Sequence, residues 1–404
     1  MAQHPRLSHS DRNHSNGGQQ IRFTPVVTNS ELAIQKKQSE HKRFSPSIRD
    51  TVIHRWYKDA QKGNPEPMDL QITRRRFLQQ TIGFSAAVLA SQAIPAIAAQ
   101  PHGEADLLMV GDWGYARPAA QELVAASMVK YIKSQRLHPQ ALLMLGDNWY
   151  DELPGGVDSP RWKTHFEDLY PANVFPGPAY AILGNHDYQM YPTSKVEAEL
   201  AYARRPHTRW TMPAKWYSFD FPAKKPLIHF IALDSNMPHE IKPNPDGTPN
   251  INFTLTEEER VAQLAWLEKE LAAPRLTPFT IVMAHHPVYT DGPHGDHAML
   301  IRDWDPLLQR YGVHAYLAGH DHDLQHLEFH GHPTSFFLSG GGGADLYDLK
   351  ITPDKRGPWA QKVNGFSHLS VTEKLLTLRH VDAAGNTLHA MTKTPDGKTS
   401  VISA

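Results

Sequence analysis

The chain has 404 residues, with 41 Lys+Arg, 42 Asp+Glu, 25 His, no Cys and 40% hydrophobic residues. That composition excludes a collagen, a wholly disordered polymer and a disulfide-stapled miniprotein, and the lack of cysteine removes Cys zinc sites, iron–sulfur clusters and thiol nucleophiles. Residues 1–98 carry 14 basic and 7 acidic side chains and residues 99–404 carry 27 and 35, so the body is acidic and a poor platform for nucleic acid, whose phosphates need basic contacts.

Residues 1–67 are rich in His, Ser, Asn, Gln, Arg and Lys without sustained apolar periodicity, which predicts a disordered extension. Met68 stands where a signal of ordinary length begins, so translation from Met68 would leave that extension out. In residues 68–98, Thr73-Arg74-Arg75-Arg76-Phe77-Leu78-Gln79 precedes an uncharged, moderately apolar run through Ala90 and then Ala96-Ile97-Ala98. This resembles a twin-arginine export signal with an A-x-A cleavage site. Gln79, Gln80, Gly83, Ser85, Ser91, Gln92 and Pro95 make a poor spanning helix. The implied partner is the twin-arginine export machinery, with membrane contact only during export and a periplasmic or secreted destination. Such an exporter passes folded proteins, often ones already loaded with metal.

Residues 99–404 are read as one domain. Leu107–Val110 predicts a buried strand, Ala119–Ser134 a helix and Ala141–Leu145 the next strand. Ala179–Leu183, Leu227–Leu233, Thr280–Met283 and Ala315–Leu317 continue the strand series. Thr256-x-x-Glu259 is a capping box opening a helix that contains Val261, Leu264, Leu267 and Leu271. A further helix is predicted over His297–Arg310, paired strands around Gly340–Gly343, and a terminal hairpin from Ser367–Val371 and Leu375–His380. Alternation of this kind argues an α/β sandwich.

Five apolar runs end in clusters able to hold metal: Gly111-Asp112-Trp113-Gly114, Gly146-Asp147-Asn148-Trp149-Tyr150, Gly184-Asn185-His186-Asp187, Val282-Met283-Ala284-His285 and Gly319-His320-Asp321-His322. Singly, a G-D or N-H-D is turn chemistry; five in order, each after a predicted strand, converge on the crevice where α/β sheets place ligands. The set resembles the calcineurin-like metallophosphoesterase superfamily and, within it, the purple acid phosphatases. Tyr150, three residues after Asp147, stands where that family has a ferric phenolate. Phe166-Glu167-Asp168, Arg209-Trp210, His285–Val288, His294-Gly295, Tyr311-Gly312-Val313 and Gly319–Gln325 are similar to the small, tartrate-resistant type. The resemblance covers about residues 105–345.

It implies a four-layer α-β-β-α sandwich and an exported acid phosphatase that hydrolyses small phosphomonoesters by metal-bound hydroxide. The implied cofactor is Fe(III), held by Asp112, Asp147, Tyr150 and His322, beside a divalent Fe, Zn or Mn on Asn185, His285 and His320, with Asp147 bridging. Hard trivalent iron suits anionic oxygen, and a metal pair polarises phosphate and acidifies water. His186 is expected to meet a phosphate oxygen, oriented by Asp187, and His294 to protonate the departing alkoxide; His297 is a competitor for that role. The V-x-x-H register selects His285 as ligand, leaving His286 to support or replace it. Asp321 and Asp323 read as supporting or turn residues, and Trp113 and Trp149 as walls. Gly340–Gly343 lacks a following Lys-Ser/Thr and reads as a flexible turn below the site rather than a phosphate cradle. The same metal core serves phosphodiesterases and nucleotide phosphohydrolases, and a noncatalytic metal- or phosphate-binding protein could keep the ligands. Retention of both His186 and His294 argues for turnover.

Overall fold

The computed structural model describes residues 105–189, 195–239, 242–244, 247–248, 250, 252–350 and 356–402. The expected extension 1–67 and signal 68–98 lie outside the described residues, all of which belong to one unit, Gln92–Ala404. Among the described residues, no helix is long and apolar enough to cross a membrane.

The strands β1 (Ala105–Val110) and β2 (Ala141–Met144) are buried at every position. Parallel strands covered on both faces need apolar residues at both parities, and these sequences supply them. With β3 (Ala179–Ala181) and β4 (Trp210–Thr211) they form the parallel half of one sheet, ordered β15-β14-β13-β12-β1-β2-β3-β4. The other half is antiparallel and comprises β12 (Gly365–Val371), β13 (Leu376–Asp382), β14 (Thr387–Lys393) and β15 (Thr399–Ile402).

The second sheet runs β11-β9-β10-β8-β7-β6-β5. Its members are β5 (Tyr217–Phe221), β6 (Ile228–Ala232), β7 (Phe279–Met283), β8 (Ala315–Ala318), β9 (Leu324–Leu327), β10 (Ser335–Ser339) and β11 (Trp359–Gln361). Along β7, Phe279, Ile281 and Met283 join the core between the sheets, whereas Val282 joins a second core with Leu267, Trp304 and Leu308. This period-2 division lets one strand serve two layers.

Helix α1 (Ala119–Gln135) buries Val124, Met128 and Ile132 in the first core. The short helices α2 (Asn185–Tyr188) and α3 (Val196–Ala203) follow β3. Helix α4 (Glu257–Ala272) opens with the expected capping box, Thr256 accepting from the Glu259 amide and Glu259 from the Thr256 amide, and buries Leu267 and Leu271. Val261 remains 52% exposed, so the inner face is narrower than its apolar residues suggest. With helices outside each sheet, the fold is the four-layer α/β sandwich.

Three local expectations are corrected. The helix over 297–310 is two helices, α5 (Ala298–Asp303) and α6 (Asp305–Arg310), broken at Trp304. Pro306 has no N–H for the Arg302 carbonyl, so one continuous helix is disfavoured. The hairpin β12–β13 is not terminal, because β14 and β15 extend the sheet. Gly340–Gly343 does follow a paired strand, β10, but the segment is a packed crossing rather than a flexible turn. Gly342 donates to the Gly111 carbonyl at 3.1 Å, and a Cβ on Gly342 would lie 2.2 Å from that same oxygen.

Candidate metal centre

The clusters leave the carboxyl ends of β1, β2, β3, β7 and β8, which the two sheets bring to a common edge. Asp112, Asp147 and His320 have φ of +58°, +49° and +71°. Left-handed backbone in non-glycine residues costs about 1–3 kcal/mol and persists where surrounding packing enforces it. At these positions it turns the chain back over the strand ends.

On one side, the Tyr150 hydroxyl donates to Asp112 Oδ1 at 3.2 Å and lies 3.0 Å from His322 Nε2. His322 Nδ1 donates to the Asp345 carbonyl at 2.6 Å, which leaves Nε2 facing the cluster. On the other side, Asn185 Oδ1 lies 3.2 Å from His285 Nε2 and 3.0 Å from His320 Nδ1. His285 Nδ1 donates to the Leu145 carbonyl at 2.9 Å, so its tautomer is set in the same manner. Asp147 stands between the groups. Its Oδ1 is 3.4 Å from His285 Nε2, and it forms with Asp112 and His322 a buried set of three ligand atoms all within 4.8 Å of one another.

The electrostatics fit cations. Burial, then the Asp147 and Asp112 carboxylates, push the Tyr150 phenol well above its usual range. Despite burial, His285, His186 and His320 hold the Asp147 carboxyl far below the usual carboxylate range. His285 is raised to about 10, burial opposing and Asp147 favouring the charged ring. Buried carboxylates crowded on a phenol and imidazoles form a donor set that positive charge relieves. The approach of neighbouring backbone is also tight: a Cβ on Gly184 would lie 2.2 Å from Asp147 Oδ1, and one on Gly319 would lie 2.5 Å from Asp112 Oδ2.

All seven expected ligand residues therefore meet at one place, and the two expected catalytic histidines stand beside them. The His186 amide donates to Asp147 Oδ1 at 2.8 Å, while its Nδ1 pairs with Gln189 Oε1 at 2.9 Å. Asp187 does not orient His186, contrary to expectation. It is fully buried and accepts from the amides of Gly184, Asn148 and Trp149 at 2.8, 3.2 and 2.9 Å, tying the Asn185 loop to the Asp147 loop. His294 Nδ1 lies 2.6 Å from Asp321 Oδ1, with its ring centroid 4.1 Å from that of His320. A cavity of about 380 Å³ opens there, lined among others by His286, His294, His297 and His320. His286 is beside the ligands rather than among them, its Nδ1 on Ser235 Oγ at 2.9 Å. His297 is occupied at Nδ1 by the Leu300 amide. Trp113 and Trp149 are buried walls, packed edge to face at 5.4 Å.

Two contributors escaped the sequence analysis. Tyr347 stacks on His322 with centroids 4.0 Å apart, and Arg161 joins two ligand loops by donating to the Tyr150 and Gly114 carbonyls at 2.8 Å. Neither belongs to a motif, and no local signal marks them.

The profile of the calcineurin-like phosphoesterase family matches residues 106–324. The tartrate-resistant acid phosphatase type 5 of Oryctolagus cuniculus is 29% identical over 300 residues, covering 69% of this chain and 87% of its own. Purple acid phosphatase 7 of Arabidopsis thaliana is 29% identical over 300 residues, covering 71% and 85%. Among solved structures, GAP50 of Plasmodium, described as the anchor in the inner membrane complex, superposes with a TM-score of 0.59 at 22% identity, covering 71% of this chain and 87% of its own. That likeness concerns the fold.

Proposed function

The chain belongs to the calcineurin-like phosphoesterase family, and from that premise we propose that it is an acid phosphatase of the purple type, hydrolysing small phosphomonoesters at a pair of metal ions. The observation that carries this reading is the placement of the Tyr150 hydroxyl, 3.2 Å from Asp112 and 3.0 Å from His322, inside an oxygen-rich donor set. Phenolate and carboxylate suit a hard trivalent ion. Asp112, Tyr150 and His322 would hold Fe(III), and Asn185, His285 and His320 a divalent Fe, Zn or Mn, with Asp147 between them. When bound, such a pair supplies Lewis acidity toward phosphoryl oxygen and acidifies water.

The chain's own residues do the rest. His186 is partly exposed, with Nε2 3.9 Å from Asp147 Oδ2, and in this reading it donates to a phosphate oxygen. Asp321 occupies His294 Nδ1, so Nε2 is the ring nitrogen left to hand a proton to a departing alkoxide. A noncatalytic reading draws on the fold shared with the Plasmodium anchor, yet a mere binding protein has no use for an Asp-oriented histidine beside the ligands. Thr73–Gln79 and Ala96-Ile97-Ala98 support export by the twin-arginine route to the periplasm or beyond, after folding and metal loading. N-terminal sequencing of the exported protein tests that route.

The central test is metal analysis and a visible spectrum of the exported protein, followed by a panel of phosphomonoesters, phosphodiesters and nucleotides. Two ions per chain, a visible absorption band and preferential monoester hydrolysis in acid are expected. A colourless protein with two zinc ions and a preference for diesters would replace this reading with a general metallophosphoesterase.

A further inference from the structure

His294 sits on the loop joining β7 to α5. Three residues before it, Asp291 is fully buried, and among the described residues neither of its carboxylate oxygens accepts a hydrogen bond. The facing charge is Arg356, whose Nε lies 3.4 Å from Asp291 Oδ1. The same guanidinium donates through Nη1 to the Thr290 carbonyl at 3.1 Å and through Nη2 to Asp296 Oδ1 at 2.7 Å. One planar fork thus touches residues on both sides of His294, and its far side rests 5.7 Å from the Phe329 ring centroid. A lysine cannot reproduce that fork.

The geometry points to Arg356 as a positioning residue that, through the buried carboxylate of Asp291, holds the His294 loop against the site. The inference rests on His294 acting on the leaving group. The Asp291 amide donates to Gln325 Oε1 and its carbonyl accepts from the Lys350 amide, both at 2.8 Å, so expelling the residue strains these two bonds as well. Its side chain depends on Arg356. Removing one partner of a buried pair leaves an uncompensated charge, which is far costlier than never having had the pair. Burial already raises the Asp291 carboxyl to about 6, so the comparison is made above that pH, where the charge persists and the relief left to an unpaired Asp291 is to swing toward water. That motion carries the following residues with it and draws His294 away from Asp321, without touching any of the seven ligand residues.

The test compares Arg356→Ala, Arg356→Lys and the double variant Arg356→Ala/Asp291→Asn in the metal-loaded protein. For Arg356→Ala, amides of 290–297 should exchange with solvent faster than in the parent, while metal content stays unchanged. Since general acid catalysis contributes about 10²–10⁴-fold, partial loss of its alignment should slow esters of alkyl alcohols about tenfold more than activated aryl esters. Arg356→Lys should be intermediate. Asp291→Asn should restore much of the loss in the double variant, because it removes the charge that drives the displacement. Equal slowing of both ester classes, unchanged exchange at 290–297, or no restoration by Asp291→Asn would overturn the proposal. If Arg356→Ala fails to fold, the double variant and Arg356→Lys carry the same comparison. If His294→Ala itself shows no dependence on leaving group, the acid role of His294 falls, and amide exchange still decides whether Arg356 holds the loop.

Discussion

His294 Nδ1 lies 2.6 Å from Asp321 Oδ1, and Asp321 stands in the chain between His320 and His322. One short stretch therefore supplies two candidate ligands and orients the candidate acid. Asp321 is fully buried, and its Oδ2 accepts from Thr290 Oγ1. Gly292 makes the approach possible, since a Cβ there would lie 2.3 Å from the Asp321 carboxyl carbon. The arrangement fixes which imidazole nitrogen faces the cavity, as an aspartate does for a catalytic histidine elsewhere.

His294→Ala should slow phosphoesters of alkyl alcohols by about 10²–10⁴-fold and activated aryl esters far less, because an aryl oxide departs without a proton. Asp321→Asn, which keeps an acceptor oxygen, should fall between. Steady-state rates across a leaving-group series at constant metal content decide this. A uniform loss would mean that His294 positions phosphate and that the acid must be sought at His186, His286 or His297.

Tyr150→Phe should abolish a visible charge-transfer band while the far-ultraviolet circular dichroism stays unchanged. The phenyl ring keeps the buried contact with Tyr115, 5.5 Å away, and loses only the hydroxyl facing Asp112 and His322. A band that persists in Tyr150→Phe would remove the phenolate assignment.

Asp147→Ala should lose both ions, because Asp147 faces both donor groups, whereas Asn185→Ala should lose mainly the divalent one. Metal stoichiometry after dialysis measures the difference. Equal retention in the two variants would contradict a bridging position.

Gly184→Ala adds one methyl group, yet should behave like a damaged ligand. Its Cβ would lie 2.2 Å from Asp147 Oδ1 and 2.3 Å from the Asp147 amide nitrogen, so the Asp147 loop must shift. Metal affinity should fall by more than about tenfold, as for other residues that orient ligands from outside the coordination set. Parental affinity in metal titrations would contradict this.

Acid stability has a separate contributor in His314, far from the ligands in the chain's fold. Its Nδ1 accepts from the Thr280 amide at 3.0 Å and its Nε2 donates to the Pro395 carbonyl at 3.0 Å, so the buried ring is held neutral. Burial, with Arg275 and Lys393 adding, lowers its pKa to about 4. Below about 6.5 the unfolded chain binds a proton that the folded one refuses until about 4, so stability is lost as pH falls through that window, at up to about 1.4 kcal/mol per pH unit. In metal-free protein, His314→Gln should flatten Tm against pH between 6.5 and 4. Identical slopes would exclude the role.

The five clusters were legible in the sequence because each is local: an apolar run sets a strand, and the residues just past its end are delivered to the sheet edge together. The capping box at Thr256 and the buried strand at Leu107–Val110 were legible for the same reason. Orientation was not. Asp187 directly follows His186 but turns inward to three amides, and Gln189 takes its place because one turn of α2 brings it to the correct side. Asp321, Tyr347 and Arg356 acquire their roles only when β7, β8 and the segment after β10 are packed side by side. A motif constrains which side chains arrive at the edge, whereas the partner of each ring nitrogen or carboxylate is chosen by whichever polar group, backbone or side chain, the tertiary fold brings within about 3 Å of it.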